Sequence, residues 1–164
     1  MTFIVREPAP SDATAIADVH VGSWCEAYGH LLPADFFSEE YVAGRRRMWD
    51  QVLNDPRDDV EVRVAESGGS IVGFAWVGPT FEFESAAPPR DRQLYAIYVR
   101  AAHHGTGAGQ ALLDAALGDA PAMLWVAKAN PRAIAFYARN GFVFDGVEQA
   151  DAHAPGLAAL RMIR

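Results

Sequence analysis

The feature that most constrains this chain is an apolar run that leads into three glycines spaced two apart. Residues 94–99 (Leu-Tyr-Ala-Ile-Tyr-Val) read as a buried strand, followed after Arg100-Ala101-Ala102-His103-His104 by Gly105, Gly107 and Gly109. Helical periodicity then resumes over residues 108–118. Glycines let a backbone turn sharply and come close to a ligand. The first N–H groups of the helix have no intrahelical partner and sit at its positive end. A strand, a glycine turn and a helix N-terminus in that order bind phosphate or pyrophosphate. Two common phosphate patterns fit poorly. A P-loop needs Lys-Ser/Thr after its last glycine, and none follows Gly109. In the dinucleotide fingerprint the third glycine stands one residue later, and the loop opens a βαβ unit instead of following a fourth or fifth strand.

The rest of the chain supplies an α/β frame around that loop. Residues 3–6 read as a short strand, and a helix starts at 8–12 with Ser11 or Asp12 as N-cap. Ile16, His20, Trp24 and Tyr28 recur at intervals of four, which puts them on one helical face, and Gly29 stops the helix. Pro33 starts a second helical segment over 34–53. Val60, Val62 and Val64 alternate with Glu61 and Arg63 as a half-buried strand. The turn Ser67-Gly68-Gly69-Ser70 joins it to the apolar run 71–77, making a hairpin. A polar, proline-containing loop covers 78–92. After the glycine loop come a strand at 122–127, a helix from Asn130-Pro131 to Asn140-Gly141, and strands at 142–144 and 157–163. The layout predicts one α/β domain over 1–164.

Composition narrows the function classes. Half of the residues are hydrophobic (51%), enough for a sizeable core. Cys25 is the only cysteine, so no intrachain disulfide forms, and it reads as a small buried hydrophobe. No apolar stretch reaches 18 residues and no secretory leader is evident, so the expectation is a cytoplasmic protein that does not engage a membrane. The net charge of −7 argues against nucleic acid and mildly favours cationic partners such as amines. His103 and His104 lack Cys, His or acidic partners at ligand spacing, so no metal is expected. Arg45, Arg46 and Arg47 read as a solvated helix face, Trp76 and Trp125 as core residues on strands, and Phe136, Phe142 and Phe144 as core aromatics.

The glycine segment His104-Gly105-Thr106-Gly107-Ala108-Gly109, after a strand ending in Val99, resembles the acetyl-coenzyme A motif of the GNAT superfamily. It departs from the family pattern in one place: His104 stands where glutamine or arginine is usual. A second segment strengthens the resemblance. Asn130, then Phe136-Tyr137, then Gly141-Phe142 follow the loop by about 25 residues with one strand between. The resemblance implies a GNAT-like acyl-CoA N-acyltransferase fold, with a central mixed, mostly antiparallel twisted sheet flanked by helices. It implies acetyl-CoA as cofactor and a small-molecule or peptide amine as acceptor, and it allows a homodimer. The N–H groups of Gly105, Thr106, Gly107, Ala108 and Gly109, with His104, would hold the pyrophosphate. The edge at Ile97, Tyr98 and Val99 would take the pantetheine arm. Asn130 would cap its helix, and Ala133, Phe136 and Tyr137 would face the cofactor.

The chemistry follows from those placements. An alkyl ammonium, with pKa about 10.4, must lose a proton before its nitrogen attacks a thioester. When the nitrogen attacks, sulfur leaves as a thiolate, and the phenol of Tyr137 can donate a proton to it. Many family members place a basic glutamate where this chain has Gln93, which cannot act as a base. Glu82 and Glu84 are the leading alternatives; Asp91, His20 and a water chain are others. Trp24 and Tyr28 line the acceptor site in one reading and pack the core in another. Gln93 and His104 also keep open a second function, a domain that binds CoA as a sensor without catalysis.

Overall fold

The computed structural model of the protein describes residues 2–81, 87–151, 153–154 and 156–164. The chain order is β1 (Ile4–Arg6), α1 (Ala13–Tyr28), α2 (Glu39–Asn54), β2 (Glu61–Ser67), β3 (Ser70–Pro79), β4 (Arg92–Val99), α3 (Ala108–Ala116), β5 (Met123–Ala127), α4 (Pro131–Arg139), β6 (Val143–Ala150) and β7 (Ala158–Ile163). Two compact units divide these residues: Met1–Val77 with Ala96–Gly118, and Gly78–Tyr95 with Asp119–Arg164. β1–β2, β2–β3, β5–β7 and β6–β7 pair antiparallel, whereas β4 meets β5 in parallel at Gln93 and Met123. The sheet is therefore mixed and mostly antiparallel, as expected.

In the first unit, α1 buries Ala13, Ile16, Ala17, His20, Trp24 and Tyr28 along one face. Spacings of three and four keep those side chains on the same stripe of the helix. Ala13, Ile16 and Ala17 of that stripe, with Val19, join Trp49, Val62, Val64, Phe74 and Ala96 in one core. Trp49 is fully buried, and its indole N–H donates to Nδ1 of His20 at 3.1 Å. That bond satisfies a donor and an acceptor which would otherwise cost about 1–3 kcal/mol each when buried unpaired. The turn between β2 and β3 pairs Ser67 with Ser70 and carries positive φ at Gly68 (58°) and Gly69 (79°). Two left-handed residues in a two-residue loop match the twist of the flanking strands, so the double glycine fixes the hairpin.

Local details depart from the sequence expectations in several places, and the strand expected at 142–144 runs as β6 over Val143–Ala150. α2 starts at Glu39, because residues 33–36 close a turn in which Phe36 N–H donates to Pro33 O at 3.0 Å. Ser38 is the cap, its Oγ accepting from Tyr41 N–H at 3.2 Å, with Glu39 and Glu40 in the first turn. Asp12 occupies the N-cap position of α1, as one of the two expected caps, but its side chain does not bond to the helix; its carboxylate accepts from Ala9 N–H (2.7 Å) and from the guanidinium of Arg6 (2.7 and 3.2 Å). Cys25 is exposed instead of buried, being one residue round the helix from Trp24 and off the buried stripe. Phe144 is half exposed, on β6 just before a register shift that runs to Glu148, whereas Phe142 is buried as expected.

In the second unit, α4 begins where the sequence places it. Asn130 Oδ1 accepts from Ala133 N–H at 3.1 Å, Pro131 occupies the first turn, and Gly141 follows the helix with φ of 86°. The guanidinium of Arg164 lies 4.7 Å from the centre of the Phe142 ring and donates to Asn140 O and Ala120 O, each at 3.0 Å.

Candidate functional site

The glycine loop belongs to the first unit. β4 ends at Val99, a single 3-10 turn covers Ala101–His103, and α3 begins at Ala108 with Gly107 at its N-cap. Gly105 (φ 76°) and Gly107 (φ 90°) are both left-handed, a conformation that costs an L side chain about 1–2 kcal/mol. A Cβ built on either would meet no atom within 4 Å. Glycine is thus required here by backbone conformation and not by crowding from the protein. Ala111 N–H makes the first backbone bond of α3, to Gly107 O at 3.0 Å. The N–H groups ahead of it form the positive end of the helix. The Thr106 hydroxyl donates to His103 O at 2.8 Å and stands 3.4 Å from Ala108 N, so the Ala108 N–H faces a hydroxyl of its own loop.

His104, the departure from the family pattern, has a defined task. Its Nε2 lies 2.8 Å from Val99 O, and since a carbonyl only accepts, Nε2 carries the proton. The ring closes the loop back onto the last residue of β4. Ile97, Tyr98 and Val99 are all partly buried on that strand, and the Tyr98 ring packs against His20 (5.3 Å) and Phe74 (5.5 Å).

The start of the loop is tied to α1 by residues that sequence reasoning passed over. Glu26 accepts from Arg100 Nε (3.0 Å) and Nη2 (2.8 Å), and also from Ala101 N–H (2.9 Å). Burial is the largest single influence on its carboxyl and pushes the pKa up. The hydrogen bonds from Arg100 and Ala101, with the positive charges of Arg100 and His104, outweigh burial and hold it below the usual glutamate range.

Trp24 and Tyr28 share the first unit with the loop. Both are buried (7% and 6% exposed), with rings 4.9 Å apart. Trp24 stacks nearly parallel to Phe36 at 6.5 Å, and Phe36 continues the cluster to Phe37 and Tyr41. Packing therefore accounts for most of their surface. Trp24 Nε1 and Ser23 Oγ are nonetheless buried without a hydrogen-bond partner among the described residues.

The second unit holds the other predicted residues. Tyr137 is buried (7% exposed) on α4 between Phe136 (5.5 Å) and Phe142 (5.9 Å). Ala133 and Phe136 are partly buried on the same helix. Gln93 is buried, and its Oε1 accepts from Phe81 N–H at 3.3 Å. Among the alternatives for the base, Asp91 is exposed, and His20 in the first unit has Nδ1 occupied by Trp49. Glu82 and Glu84 lie outside the described residues. Among the described residues no cluster of three or more His, Cys, Asp or Glu could hold a metal, and no helix is long and apolar enough to cross a membrane.

Comparison with known proteins adds an independent line. The model of the acetyltransferase (GNAT) family matches residues 24–142. YuaI of Bacillus subtilis (strain 168), an uncharacterized N-acetyltransferase, is 31% identical over 176 residues, covering 97% of this chain and 96% of its own. Among solved structures, a Corynebacterium glutamicum protein described as histone acetyltransferase HPA2 and related acetyltransferase superposes with a TM-score of 0.70 at 23% identity, covering 99% and 96% of the two chains. The PaiA N-acetyltransferase of Thermoplasma acidophilum, solved in complex with coenzyme A, superposes with a TM-score of 0.64 at 17% identity, covering 98% of each chain.

Proposed function

Because this chain belongs to the GNAT family of acetyltransferases, and is thereby an acetyl-CoA-dependent acyltransferase, we propose that it moves the acetyl group directly to a primary amine of a small molecule or peptide. The observation that carries the reading is the left-handed backbone of Gly105 and Gly107 ahead of the α3 N-terminus. The loop fits a pyrophosphate: its conformation is built for glycine, no protein atom would meet a Cβ there, and the helix end supplies positive dipole charge. Acetyl-CoA supplies an activated acyl carbon and a thiolate leaving group. His104 and residues 105–109 would bind the pyrophosphate, and Ile97, Tyr98 and Val99 the pantetheine arm. Asn130, Ala133 and Phe136 would contribute further cofactor contacts from α4.

The chain's own residues then have three tasks. A base, for which Glu82 and Glu84 remain our candidates, removes a proton from the ammonium. A backbone N–H near Val99 would stabilise charge on the carbonyl oxygen as the C–N bond forms. The Tyr137 hydroxyl would give its proton to sulfur as the C–S bond breaks, and the second proton that the nitrogen loses on becoming an amide would restore the phenol. Trp24, with its unpartnered Nε1, and Tyr28 are our candidates for the wall of the acceptor site. A homodimer in the cytoplasm is the proposed setting. One observation favours a second reading, a CoA sensor: Gln93 cannot accept a proton and is engaged with Phe81 N–H.

Calorimetric titration with acetyl-CoA, followed by a thiol-release assay over a panel of amines, tests both readings. Binding with turnover supports the transferase, and the best amine names the acceptor class. Binding without turnover on any amine selects the sensor. Absence of binding removes both.

A further inference from the structure

Gly22 and Glu26 lie one turn apart on α1, and both meet Arg100. A Cβ on Gly22 would stand 2.6 Å from Arg100 Nη1 and 2.7 Å from its Cζ, so the glycine is the seat on which the guanidinium rests. From that seat Arg100 donates two hydrogen bonds to Oε1 of Glu26, through Nε at 3.0 Å and Nη2 at 2.8 Å. The other carboxylate oxygen, Oε2, accepts from the backbone N–H of Ala101 at 2.9 Å. The backbone N–H of Arg100 is itself held by Val72 O on β3 at 2.9 Å.

These bonds continue into the glycine loop. Ala101 O accepts from His104 N–H at 3.1 Å, His104 Nε2–H returns to Val99 O at 2.8 Å, and His103 O accepts from the Thr106 hydroxyl at 2.8 Å. An unbroken series of contacts therefore runs from α1 to the residue before Gly107. An ion pair whose side chains are 32% and 40% exposed contributes little to stability by itself. Two features set this one apart: Arg100 places two N–H groups on one oxygen, and the other oxygen fixes a backbone N–H at the loop entrance.

We propose that Glu26 is a positioning residue of the cofactor loop, holding Arg100 and Ala101 so that residues 105–109 keep a ready pose for the pyrophosphate; this rests on the reading that the loop binds CoA. Gly22 is part of the device, because only a residue without Cβ leaves room for the guanidinium. A loop ordered in advance does not have to lose its freedom when the ligand arrives.

The test compares wild type with Glu26→Ala, Glu26→Gln and Gly22→Ala. Each is titrated with CoA by calorimetry, melted, and followed by amide hydrogen exchange of the ligand-free loop. Glu26→Ala is expected to weaken CoA binding about tenfold, the equivalent of one charge-assisted hydrogen bond, and to speed exchange at residues 101–109. Glutamine keeps one acceptor oxygen and rescues part of the loss. Gly22→Ala changes neither Glu26 nor any loop residue and improves helix propensity, but its Cβ displaces the Arg100 guanidinium, so it should melt no lower than wild type while binding CoA about threefold more weakly. That separation of affinity from stability is the readout that a purely structural role would not give. If wild type binds CoA and all three variants bind it equally well, with unchanged loop exchange, this inference is overturned and the cofactor reading stands. If wild type fails to bind CoA, the cofactor reading falls and takes this inference with it.

Discussion

Gly107→Ala isolates the backbone conformation on which the cofactor reading depends. Gly107 has φ 90° and ψ −4° and caps α3. Its absent Cβ would meet no atom within 4 Å, so substitution adds no clash with the protein. The cost is conformational alone, about 1–2 kcal/mol for an L residue in the left-handed region. Part of it is offset by the smaller entropy of the unfolded alanine chain, about 0.4–1 kcal/mol. The net expectation is a loss near 1 kcal/mol, which for a chain of this size lowers Tm by about 2–4 °C. The loop can avoid even that cost by rotating residue 107 to negative φ, but the rotation turns the N–H groups at the helix end away from the anion. A free loop that relaxes in this way must recover the strained pose to bind, so CoA binding weakens by up to about tenfold. Asparagine tolerates the left-handed region better than alanine, so Gly107→Asn should be the more stable of the two variants. Thermal denaturation and calorimetric titration with CoA check both orders. Equal affinity in wild type and Gly107→Ala, or an asparagine variant less stable than the alanine one, would refute the reasoning.

Three further outcomes follow from named contacts. Tyr137→Phe keeps the ring that packs between Phe136 and Phe142 but removes the proton donor; kcat in the thiol-release assay should fall about 10²-fold with CoA affinity unchanged. Asn130→Ala removes the α4 cap and should cost about 1 kcal/mol of unfolding free energy in urea denaturation. The Asp12 carboxyl lies below its ordinary pKa, first because Arg6 hydrogen-bonds it, against a contrary push from burial, and then because Ala9 N–H donates to it. A carboxyl depressed by folding stabilises the fold above its unfolded pKa, and that contribution is lost as pH falls through the folded value. The advantage of wild type over Asp12→Asn in urea should therefore be full at neutral pH and shrink between about pH 5 and pH 2; an advantage that stays constant with pH contradicts the assignment.

What the sequence made legible is what a residue type demands of its own backbone. Gly105 and Gly107 had to be left-handed or superfluous, and they are left-handed. Asn130-Pro131 had to open a helix and Gly141 to end it, and both do. The false start of α2 was also readable. Pro33 suits a first helical position, but Ser38 followed by Glu39 and Glu40 supplies both a side-chain cap and negative charge at the positive end. Cys25 and Phe144 failed for a different reason. Their residue types favour burial, whereas exposure depends on where the stripe of a helix falls and where an edge strand shifts register.

Partner choice across long separations leaves a fainter trace, and Glu26 with Arg100 is the clearest case. They stand 74 residues apart, and neither has a sequence neighbour that announces the pair. The one local sign was Gly22. A glycine in mid-helix costs about 1 kcal/mol against alanine and has no local purpose there. Such a residue leaves room for a group against the helix: Gly22 is filled in this way, whereas Gly44 of α2 meets only Arg47 of its own helix, at 3.7 Å. At Gly22 the group is the guanidinium of Arg100, 2.6 Å from where a Cβ would stand. The two halves of the device thus have different origins: the glycines of the loop satisfy their own backbone, while Gly22 makes room for a side chain that arrives from the end of β4. A glycine that its own conformation does not require is a place to look for a positioned partner, and here that search leads to the entrance of the cofactor loop.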